Sequence, residues 1–476
     1  MVTILKYVLF IILILNSSWA FGLSKQTKNI WGDENQQPNF IILLGDDISA
    51  NSIGCYGAAN KGITPNIDRL ATEGVMFTNM FVSEAICAPT RAELYTGKQP
   101  FRNGCTTNKL ATNNDVKSVV HYLEELGYRV ALTGKKHYKP DSVYPFRYIE
   151  GFTEQVKTRG PEMEEDWEAL ADFINEDKSK PFCLFICSVH AHAPWDAGNS
   201  DILKLNEIVL PPHFIDNKVT RHFYREYLGE INLFDQQVGK AKELIGELNV
   251  EDNTVLMVLD ENGAGMPSGK WTNYDWGVRS ACVMKWPEKY KAITETNAIA
   301  QYCDILPTMI DAAGGKVPND LDGKSLMGLI QGRRDKHREN AFFVYNEDYK
   351  SRAVFDGRYK LIWNLTWNND FHVDVINGWD GFKDHMRDRH VHFLFNSWLE
   401  RSEIDSIAEE KVNRFLKHPQ FELYDLVNDP WEMNNLADKD EFQAKITGLK
   451  MKLEKWMQEQ GDTYSDYVED APKNMD

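Results

Sequence analysis

Apolar runs alternate with amphipathic segments along most of the chain. Runs that predict buried strands cover residues 39–47, 75–82, 128–134, 181–189, 253–263 and 280–287. Segments with helical spacing separate them, at 64–74, 89–97, 115–127, 164–177, 220–248 and 304–315. Strands that are apolar throughout and alternate with helices predict a mostly parallel sheet with helices on both faces. We therefore expect an α/β fold built on a large sheet.

The pattern changes after about residue 335. The segments "NAFFVYN", "SRAVFDG" and "RYKLIWN" are short strands with tight turns, and they predict a small antiparallel sheet. A polar, aromatic and His-containing stretch follows at 364–418, and the chain then forms an amphipathic C-terminal helix. We predict a main α/β domain over 21–335 and a smaller α+β subdomain over 336–476.

The first twenty residues have the three parts of a secretory signal peptide. Met1–Lys6 carries one positive charge, Tyr7–Leu15 is apolar, and Ser18-Trp19-Ala20 offers a small-x-small cleavage site. The alternative is a buried N-terminal strand or helix. Because no later segment has the pattern of a membrane span, we predict that cleavage leaves a protein without a membrane anchor, exported to the periplasm or secreted.

Charge and cysteine content narrow the function. The chain has 53 Lys and Arg against 71 Asp and Glu, a net charge of −18, which argues against nucleic-acid binding. A local basic pocket could still hold one sulfate or phosphate. An exported protein can form disulfides, but seven cysteines leave at least one unpaired.

Polar residues follow several predicted strands, at the edge where ligands bind in parallel sheets. The acidic groups Asp46-Asp47 and Asp260-Glu261-Asn262 form an all-oxygen set that suits Ca²⁺ or Mg²⁺. The other candidates are basic or aromatic: Lys135, His137, His190, His192 and Lys270. Each alone has an ordinary structural explanation, and one of the two neighbouring histidines at 190 and 192 could be structural.

Cys87 stands apart from the other cysteines because it opens a predicted helix among polar residues. A thiol at a helix N-terminus feels the positive end of the helix dipole and could act as a nucleophile. However, no histidine is an obvious base for it, and a Cys–His hydrolase has no need of the acidic cluster. The combination requires another explanation.

The sequence "CAPTR" at 87–91 resembles the C-x-P-x-R signature of type I sulfatases, which oxidise the cysteine to formylglycine after translation. Other stretches are similar to the same family in the same order: "PNFIILLGDD", "TPNIDRLATEGVMFTNMFV", "TGKQPFRNG", "TGKKH", "HAHAP", "LDENG", "YCDILPTMIDAAGG", "DGKSL" and "FELYDLVNDPWEMNNLAD". The resemblance runs from about Asn39 to the end of the chain and implies an alkaline-phosphatase-like fold. Within the family, "GKKHYKPDSVYPF", "MPSGKWTNYDW" and "RYKLIWNLTW" look like the sulfamidase (heparan N-sulfatase) branch.

The resemblance implies a role for each matching residue. Cys87 would become the formylglycine whose hydrated aldehyde is the nucleophile, and Arg91 would hold that hydrate. His192 would protonate the leaving group and His137 would act as base. One Ca²⁺ would be bound at the modified Cys87 by Asp46, Asp47, Glu261 and Asn262, and the sulfate would be surrounded by Lys135, His137, His192 and Lys270.

One position departs from the family pattern. The residue before the metal-binding Asn is usually Asp, whereas this chain has Glu261, with Asp260 one place earlier. Ungapped alignment of "NTVLMVLDENG" favours Glu261 as the ligand. The alternatives are that Asp260 rotates in, or that the metal binds weakly or not at all.

The resemblance implies a sulfatase that removes sulfate esters from a sulfated polysaccharide or its oligosaccharides, with an exo-acting pocket. It also implies a maturation partner, either a formylglycine-generating enzyme or an anaerobic sulfatase-maturating enzyme. Three alternatives remain: a sulfamidase, a formylglycine-dependent phosphonate or phosphodiester hydrolase, and a decayed enzyme that only binds glycans. Residues Trp363, Trp367, Trp379, His390 and His392 could line a sugar subsite or pack the subdomain.

Overall fold

A large sheet forms the centre of the structure, a computed structural model that describes residues 37–154, 165–287, 293–373 and 389–463. The strands of the first three-quarters of the chain are β1 (Asn39–Gly45), β2 (Val75–Phe77), β3 (Met80–Phe81), β4 (Arg129–Gly134), β5 (Arg147–Ile149), β6 (Phe182–Cys187), β7 (Thr254–Asp260), β8 (Cys282–Lys285), β9 (Glu295–Thr296) and β10 (Ala300–Gln301). Eight of them form one sheet in the order β5-β4-β6-β1-β7-β8-β2-β9.

The middle of this sheet is parallel, as the sequence predicts. Strand β1 pairs in parallel with β6 and β7, and β4 pairs in parallel with β6 and β5. Every residue of β6 and β7 is buried, which explains their unbroken apolar sequences. Strand β8 runs antiparallel to both β7 and β2. The prediction of a mostly parallel sheet in an α/β fold is therefore confirmed.

The helices lie between these strands and after them. They are α1 (Pro65–Glu73), α2 (Cys87–Thr96), α3 (Pro100–Asn103), α4 (Val119–Glu125), α5 (Trp167–Asn175), α6 (Lys218–Glu247), α7 (Asp275–Val278), α8 (Ile305–Ala312), α9 (Met327–Ile330), α10 (Arg389–Ser402), α11 (Ser406–Leu416) and α12 (Gln443–Gln460). Helix α6 is 30 residues long and begins at the side-chain cap of Asn217. Its apolar face shares a core cluster with β1, β6 and β7.

Two local predictions need correction. The segment 75–82 is two short strands in different sheets, because the polar pair Thr78-Asn79 forms a turn between β2 and β3. The helix predicted over 115–127 begins only at Val119, since Ser118 forms a capping box with His121.

The small antiparallel sheet predicted after residue 335 is also confirmed. Its strands are β11 (Ala341–Tyr345), β12 (Ser351–Phe355), β13 (Tyr359–Asn364) and β14 (Phe421–Asp425), each antiparallel to the next. Helix α12 packs its buried apolar residues against this sheet. The stretch 364–418 contains α10 and α11, two helices that we did not predict. The domain boundary at residue 335 stays a prediction.

Several predictions concern other parts of the chain or the cysteines. The signal peptide at 1–20 and Trp379 lie outside the described residues. Among the described helices, none combines the length and apolar character needed to cross a membrane. All seven cysteines are free, and six of them are buried, so the structure contains no disulfide.

Candidate active site

The sheet register explains why residues distant in sequence meet at one edge. Gly45 of β1 lies opposite Asp260 of β7, and Leu44 lies opposite Cys187 of β6, which in turn pairs with Gly134 of β4. The residues that follow these strand ends therefore converge. They are Asp46-Asp47 after β1, Lys135 and His137 after β4, His190 and His192 after β6, and Glu261-Asn262 after β7.

A glycine permits this close approach between β4 and β6. A Cβ at Gly134 would lie 2.1 Å from the carbonyl oxygen of Cys187, and the residue has a φ of +78°. No side chain can be placed there without moving the strand. The next residue, Lys135, donates its backbone N–H to the same carbonyl at 2.9 Å, which fixes where its side chain starts.

Cys87 is the first residue of helix α2 and only 1% of its surface is exposed. Its Sγ lies 3.9 Å from an oxygen of Asp47 and 4.0 Å from one of Asp46, and the ammonium of Lys270 lies 2.8 Å away. Burial, with the negative charge of Glu261, raises the pKa of the Cys87 thiol to about 12. An unmodified Cys87 is therefore a protonated thiol at neutral pH and a poor nucleophile.

The N-terminus of α2 offers less to an anion than the sequence suggests. The N–H of Ala88 donates to the side-chain oxygen of Asn108 at 3.0 Å, Pro89 has no N–H, and the N–H of Thr90 donates to Ile86. The first-turn donors after Cys87 are thus occupied or absent. Positive charge at the site comes mainly from side chains.

Four carboxylate and thiol groups lie close enough to share one ion. Single ligand atoms of Asp46, Asp47, Cys87 and Glu261 all lie within 4.8 Å of one another, and all four residues are buried. The amide of Asn262 donates to Asp47 at 2.8 Å, while its buried oxygen has no partner among the described residues. Three carboxylates and an orphaned amide oxygen fit a hard divalent cation such as Ca²⁺.

Asp260 is absent from this group. Both of its carboxylate oxygens are buried without a hydrogen-bond partner in the described residues, and burial raises its pKa well above the usual range. It is therefore a neutral acid in the core beside the site. Of the two acids considered from the sequence, Glu261 is the one that reaches Asp46 and Asp47.

Two lysines balance the charges of Asp46 and Asp47. Lys135 contacts both oxygens of Asp46, at 2.7 and 2.8 Å, and Lys270 contacts both oxygens of Asp47, at 2.7 and 3.0 Å. Burial disfavours the charge of each lysine, but the neighbouring anions more than compensate and raise the pKa of both. Both lysines are therefore charged.

Arg91 binds Glu261 and the segment that follows β4. Its guanidinium binds both oxygens of Glu261, at 2.7 and 3.3 Å, and donates to the backbone carbonyl of Lys135 at 2.8 Å. Arg91 and Glu261 are both fully buried. The bidentate ion pair with Arg91 thus fixes the position of the Glu261 carboxylate.

The two predicted histidines lie next to different members of the cluster. A ring nitrogen of His137 lies within 4.8 Å of Cys87 Sγ and of Glu261, and Nε2 of His192 lies 3.7 Å from Asp47. Burial lowers the pKa of His137 to about 3 and that of His192 well below its usual range. Both rings are neutral here. Nδ1 of His192 lies 2.7 Å from the carbonyl of Ala193, which places the proton on Nδ1 and leaves Nε2 facing the site.

Backbone conformation at the site is unusual. Asp47, His137, Ser268 and Trp271 have φ between 41° and 72°, although none is glycine. Two of them are candidate site residues and two flank Lys270. Conformations of this kind cost free energy and cluster at functional sites.

Sequence reasoning missed two residues that position this site. Glu230 of α6 is fully buried, contacts Nδ1 of His190 at 2.6 Å and accepts the backbone N–H groups of Asp196 and Ala197. The backbone of His190 and Ala191 in turn bonds to Asp46. The second residue that sequence reasoning missed is Asn108, whose side-chain oxygen accepts the backbone N–H of Ala88. Neither residue has a local motif, so no sequence signal identifies them.

The described residues proposed for a sugar subsite lie in different surroundings. Trp363 is buried in the core of the small sheet, and Trp367 is 44% exposed. Nδ1 of His390 accepts the backbone N–H of Trp195, just after the His192 loop, and Nε2 of His392 lies 2.8 Å from the Asn396 amide.

Comparisons with known proteins identify the family of this chain. A family described as "Sulfatase" matches residues 38–315, and one described as "N-sulphoglucosamine sulphohydrolase, C-terminal" matches 269–386. The chain is 32% identical to an ulvan-active sulfatase of Formosa agariphila, over 92% of this chain and 83% of that protein. It is 25% identical to the N-sulphoglucosamine sulphohydrolase of Homo sapiens, over 90% of this chain and 91% of that protein.

Solved structures share the fold. One, described in complex with its substrate D-glucosamine-2-N,6-O-disulfate, has a TM-score of 0.67 at 20% identity and covers 92% of this chain and 100% of its own. A phosphonate monoester hydrolase of Agrobacterium radiobacter has a TM-score of 0.68 at 17% identity and covers 89% and 96%. The sulfatase match spans more than half of the 476 residues. The chain therefore belongs to the sulfatase family and is a sulfuric ester hydrolase.

Proposed function

We propose that the chain releases sulfate from a sulfated polysaccharide or its oligosaccharides through a formylglycine made from Cys87. The observation that carries the proposal is the position of Cys87 Sγ, within 4.0 Å of Asp46 and Asp47 and 2.8 Å from Lys270. A thiol with a pKa of about 12 in that position is inert. After conversion, which replaces Sγ by oxygen, the hydrated aldehyde at Cβ of residue 87 would supply one hydroxyl as the nucleophile and a second hydroxyl for the release of sulfate.

The proposed metal is one Ca²⁺ held by Asp46, Asp47, Glu261 and Asn262 together with residue 87. When bound, it would supply positive charge to the sulfate oxygens and to the attacking hydroxyl. The orphaned oxygen of Asn262 supports this set. Because Lys135 and Lys270 already bind Asp46 and Asp47, we expect both ammonium groups to turn toward the sulfate when the metal takes those carboxylates.

The remaining residues of the set would handle charge and protons. Lys135 and Lys270 neutralise the sulfate, which otherwise repels a nucleophile. The neutral ring of His137, with one nitrogen within 4.8 Å of Cys87 Sγ, would accept a proton from residue 87. Nε2 of His192, 3.7 Å from Asp47, carries no proton in the tautomer described above, so it would have to be protonated before it could donate to the departing sugar. Arg91 holds Glu261 in place, and through it the acidic cluster.

A sulfate-release assay tests the proposal. The protein would be produced together with a formylglycine-generating enzyme and incubated with O-sulfated glycosaminoglycan, ulvan and carrageenan oligosaccharides. Sulfate release that depends on conversion of Cys87, measured by mass spectrometry of its peptide, is the expected result. Release by protein that retains an unmodified Cys87 would overturn the formylglycine mechanism.

A second candidate is N-sulfoglucosamine sulfohydrolase activity. It is favoured by the match of residues 269–386 to the C-terminal region of that family, which includes Lys270. The assay separates the two candidates when N-sulfated glucosamine is added, because cleavage of the N–S bond yields a free amine as well as sulfate. A third outcome is phosphonate or phosphodiester hydrolysis, which is measured by incubating the same protein with a phosphonate monoester.

We further propose that the protein is exported after cleavage near Ala20 and acts on chain ends. An acidic protein, with a net charge of −18, is suited to a pocket for one terminal sugar and ill suited to a long groove for a polyanion. Its maturation partner would be a formylglycine-generating or anaerobic sulfatase-maturating enzyme. N-terminal sequencing of the exported protein and the size of the first products check these two points.

A further inference from the structure

A small cavity is lined by His137 and by Ala88, the residue after Cys87. It has a volume of about 120 Å³, and most of its wall is apolar, formed by Ala88, Ala92, Cys105, Leu110, Tyr138 and Tyr144. Ala88 and Ala92 are one helical turn apart on α2, and with Cys105 they form a buried apolar cluster. One face of α2 therefore forms part of the cavity wall.

Most polar groups at this cavity are already engaged. The hydroxyls of Thr112 and Tyr144 bond to each other at 2.6 Å, and the oxygen of Asn108 binds the N–H of Ala88. Nδ1 of His137 is buried without a partner in the described residues, and the oxygen of Asn108 is used by Ala88 while its Nδ2 is not.

Lys139 is the one cation of the lining, and its ammonium donates to the carbonyl of Lys109 at 2.6 Å. A charged group would have to displace that bond, and it would meet mainly apolar surface along the rest of the wall.

His137 connects the cavity to the chemistry. Its ring lines the cavity, and one ring nitrogen lies within 4.8 Å of Cys87 Sγ. Ala88 follows Cys87 directly. A substrate whose sulfur lies at residue 87 therefore has this cavity within the length of one sugar substituent.

The size of the cavity restricts what can enter. Its volume equals that of about four water molecules in the liquid. A whole hexose ring is larger. A second sulfate would lose hydration against alanine, leucine and tyrosine side chains, with Lys139 as the single cationic partner. An acetamido group, with four non-hydrogen atoms, matches the volume, and its methyl matches the apolar wall, whereas the methyl of a 6-deoxyhexose meets the same wall but fills only part of the volume.

We propose that this cavity receives a methyl-bearing substituent of the sugar that carries the sulfate, and that it selects such sugars. This inference rests on the proposed function. The methyl can come from C6 of a 6-deoxyhexose or from the acetamido group of an N-acetylhexosamine. In the second case the free amide of Asn108 is available to the acetamido carbonyl.

Paired substrates test the inference. The first pair is rhamnose 3-sulfate and mannose 3-sulfate, and the second is N-acetylglucosamine 6-sulfate and glucosamine 6-sulfate. In the wild type we expect kcat/KM to be about 10-fold or more higher for the methyl-bearing member of one pair, which identifies the source of the methyl. A ratio near one in both pairs, with sulfate released, overturns the inference and leaves the proposed function standing.

Two variants probe the cavity itself. Ala92→Leu places three more carbons into it and should bring the ratio toward one by raising KM for the methyl-bearing sugar, whereas Ala92→Ser, nearly unchanged in size, should keep the ratio. Since Ala92 is buried, Ala92→Leu can fail to fold. Leu110→Ala, at a residue 47% exposed, removes part of the wall and should also reduce the ratio.

The matched control is Leu205→Ala, an exposed leucine that does not line the cavity. Its ratio should equal that of the wild type. An unchanged ratio in both Ala92→Leu and Leu110→Ala contradicts the inference. Failure of every sugar to release sulfate contradicts the proposed function instead.

Discussion

Two groups of buried charges in this molecule are organised in opposite ways. At the carboxyl ends of the large sheet, three carboxylates lie together, and the amide oxygen of Asn262 has no partner in the described residues. In the small sheet, the fully buried Arg352 donates from all of its nitrogens, to Asp462, Asn346 and two backbone carbonyls. Lys360 is held similarly by Asp275, Glu432 and a carbonyl.

The difference separates structure from function. The charges of the small sheet are satisfied within the protein, so they hold β12 and β13 to the rest of the chain and have nothing left for a ligand. At the large sheet Asp46 and Asp47 are balanced by Lys135 and Lys270, and Glu261 by Arg91, but the oxygen of Asn262 keeps no partner in the described residues, and the cluster adjoins residues with positive φ. Buried polar groups normally have hydrogen-bond partners within the protein. A region in which they do not is where ligand binding and chemistry are expected.

The largest expected effect is on activity, at the carboxyl ends of the large sheet. Cys87→Ala should lower sulfate release by about 1,000-fold or more, because it removes the group that becomes the nucleophile. The thermal unfolding midpoint should change little. Cys183→Ala, a buried cysteine within β6, is the control and should keep its activity. Sulfate release by Cys87→Ala would refute the mechanism.

The second effect is on stability, in the other region. Arg352→Met should lower the free energy of unfolding by about 3–5 kcal/mol, because it leaves Asp462 buried without its cation. Urea unfolding measures the change. Arg358→Met breaks a half-exposed pair with Asp425 in the same sheet and should cost about 1 kcal/mol or less. Equal losses in the two variants would remove the distinction between the regions.

The third effect is the response to metal. At a Ca²⁺ concentration 100 times its Kd, the folded state should gain about 2.7 kcal/mol, seen as a higher unfolding midpoint than in chelator. Asp47→Asn should abolish the shift, while Arg358→Met should retain it. A wild-type midpoint that is the same with Ca²⁺ and with chelator would show that the acidic cluster is not a metal site.

The smallest effect concerns the positioning of His192. Glu230→Gln weakens the charged bond to His190 and should lower kcat several-fold, about 1 kcal/mol, with KM nearly unchanged. Glu226→Gln, four residues earlier on α6, changes a pair with the half-exposed His222 and should leave kcat unchanged. A parallel change in both variants would mean that Glu230 only stabilises the helix.

The sheet edge could be predicted because local signals determine it. Unbroken apolar runs indicate buried parallel strands, and polar residues directly after such runs lie at the carboxyl edge of the sheet. This rule alone predicts that Asp46, Asp47 and Lys135 lie at that edge. Helix α2 likewise begins at Cys87, two residues before the predicted start, within the usual uncertainty of helix ends.

Other features depend on contacts across the chain. The antiparallel direction of β8, the pair of Arg91 with Glu261 and the bond of Asn108 to Ala88 each join residues whose sequences show no sign of the partner. The position of α10 depends on packing against helix α6 through Trp398 and Thr220, and α11 packs on α10 through Phe415 and Phe395. Such pairings are decided by the assembled core.

The burial of Cys87 also sets an order of events during biosynthesis. With 1% of its surface exposed, its sulfur lies behind Asp46, Asp47 and Lys270 once the sheet is assembled. Under the proposed formylglycine mechanism, an oxidising catalyst would therefore have to reach this segment before the strands close over it. A molecule that folded first would keep an unmodified Cys87, so the fraction of active protein would depend on the rate of modification relative to the rate of folding.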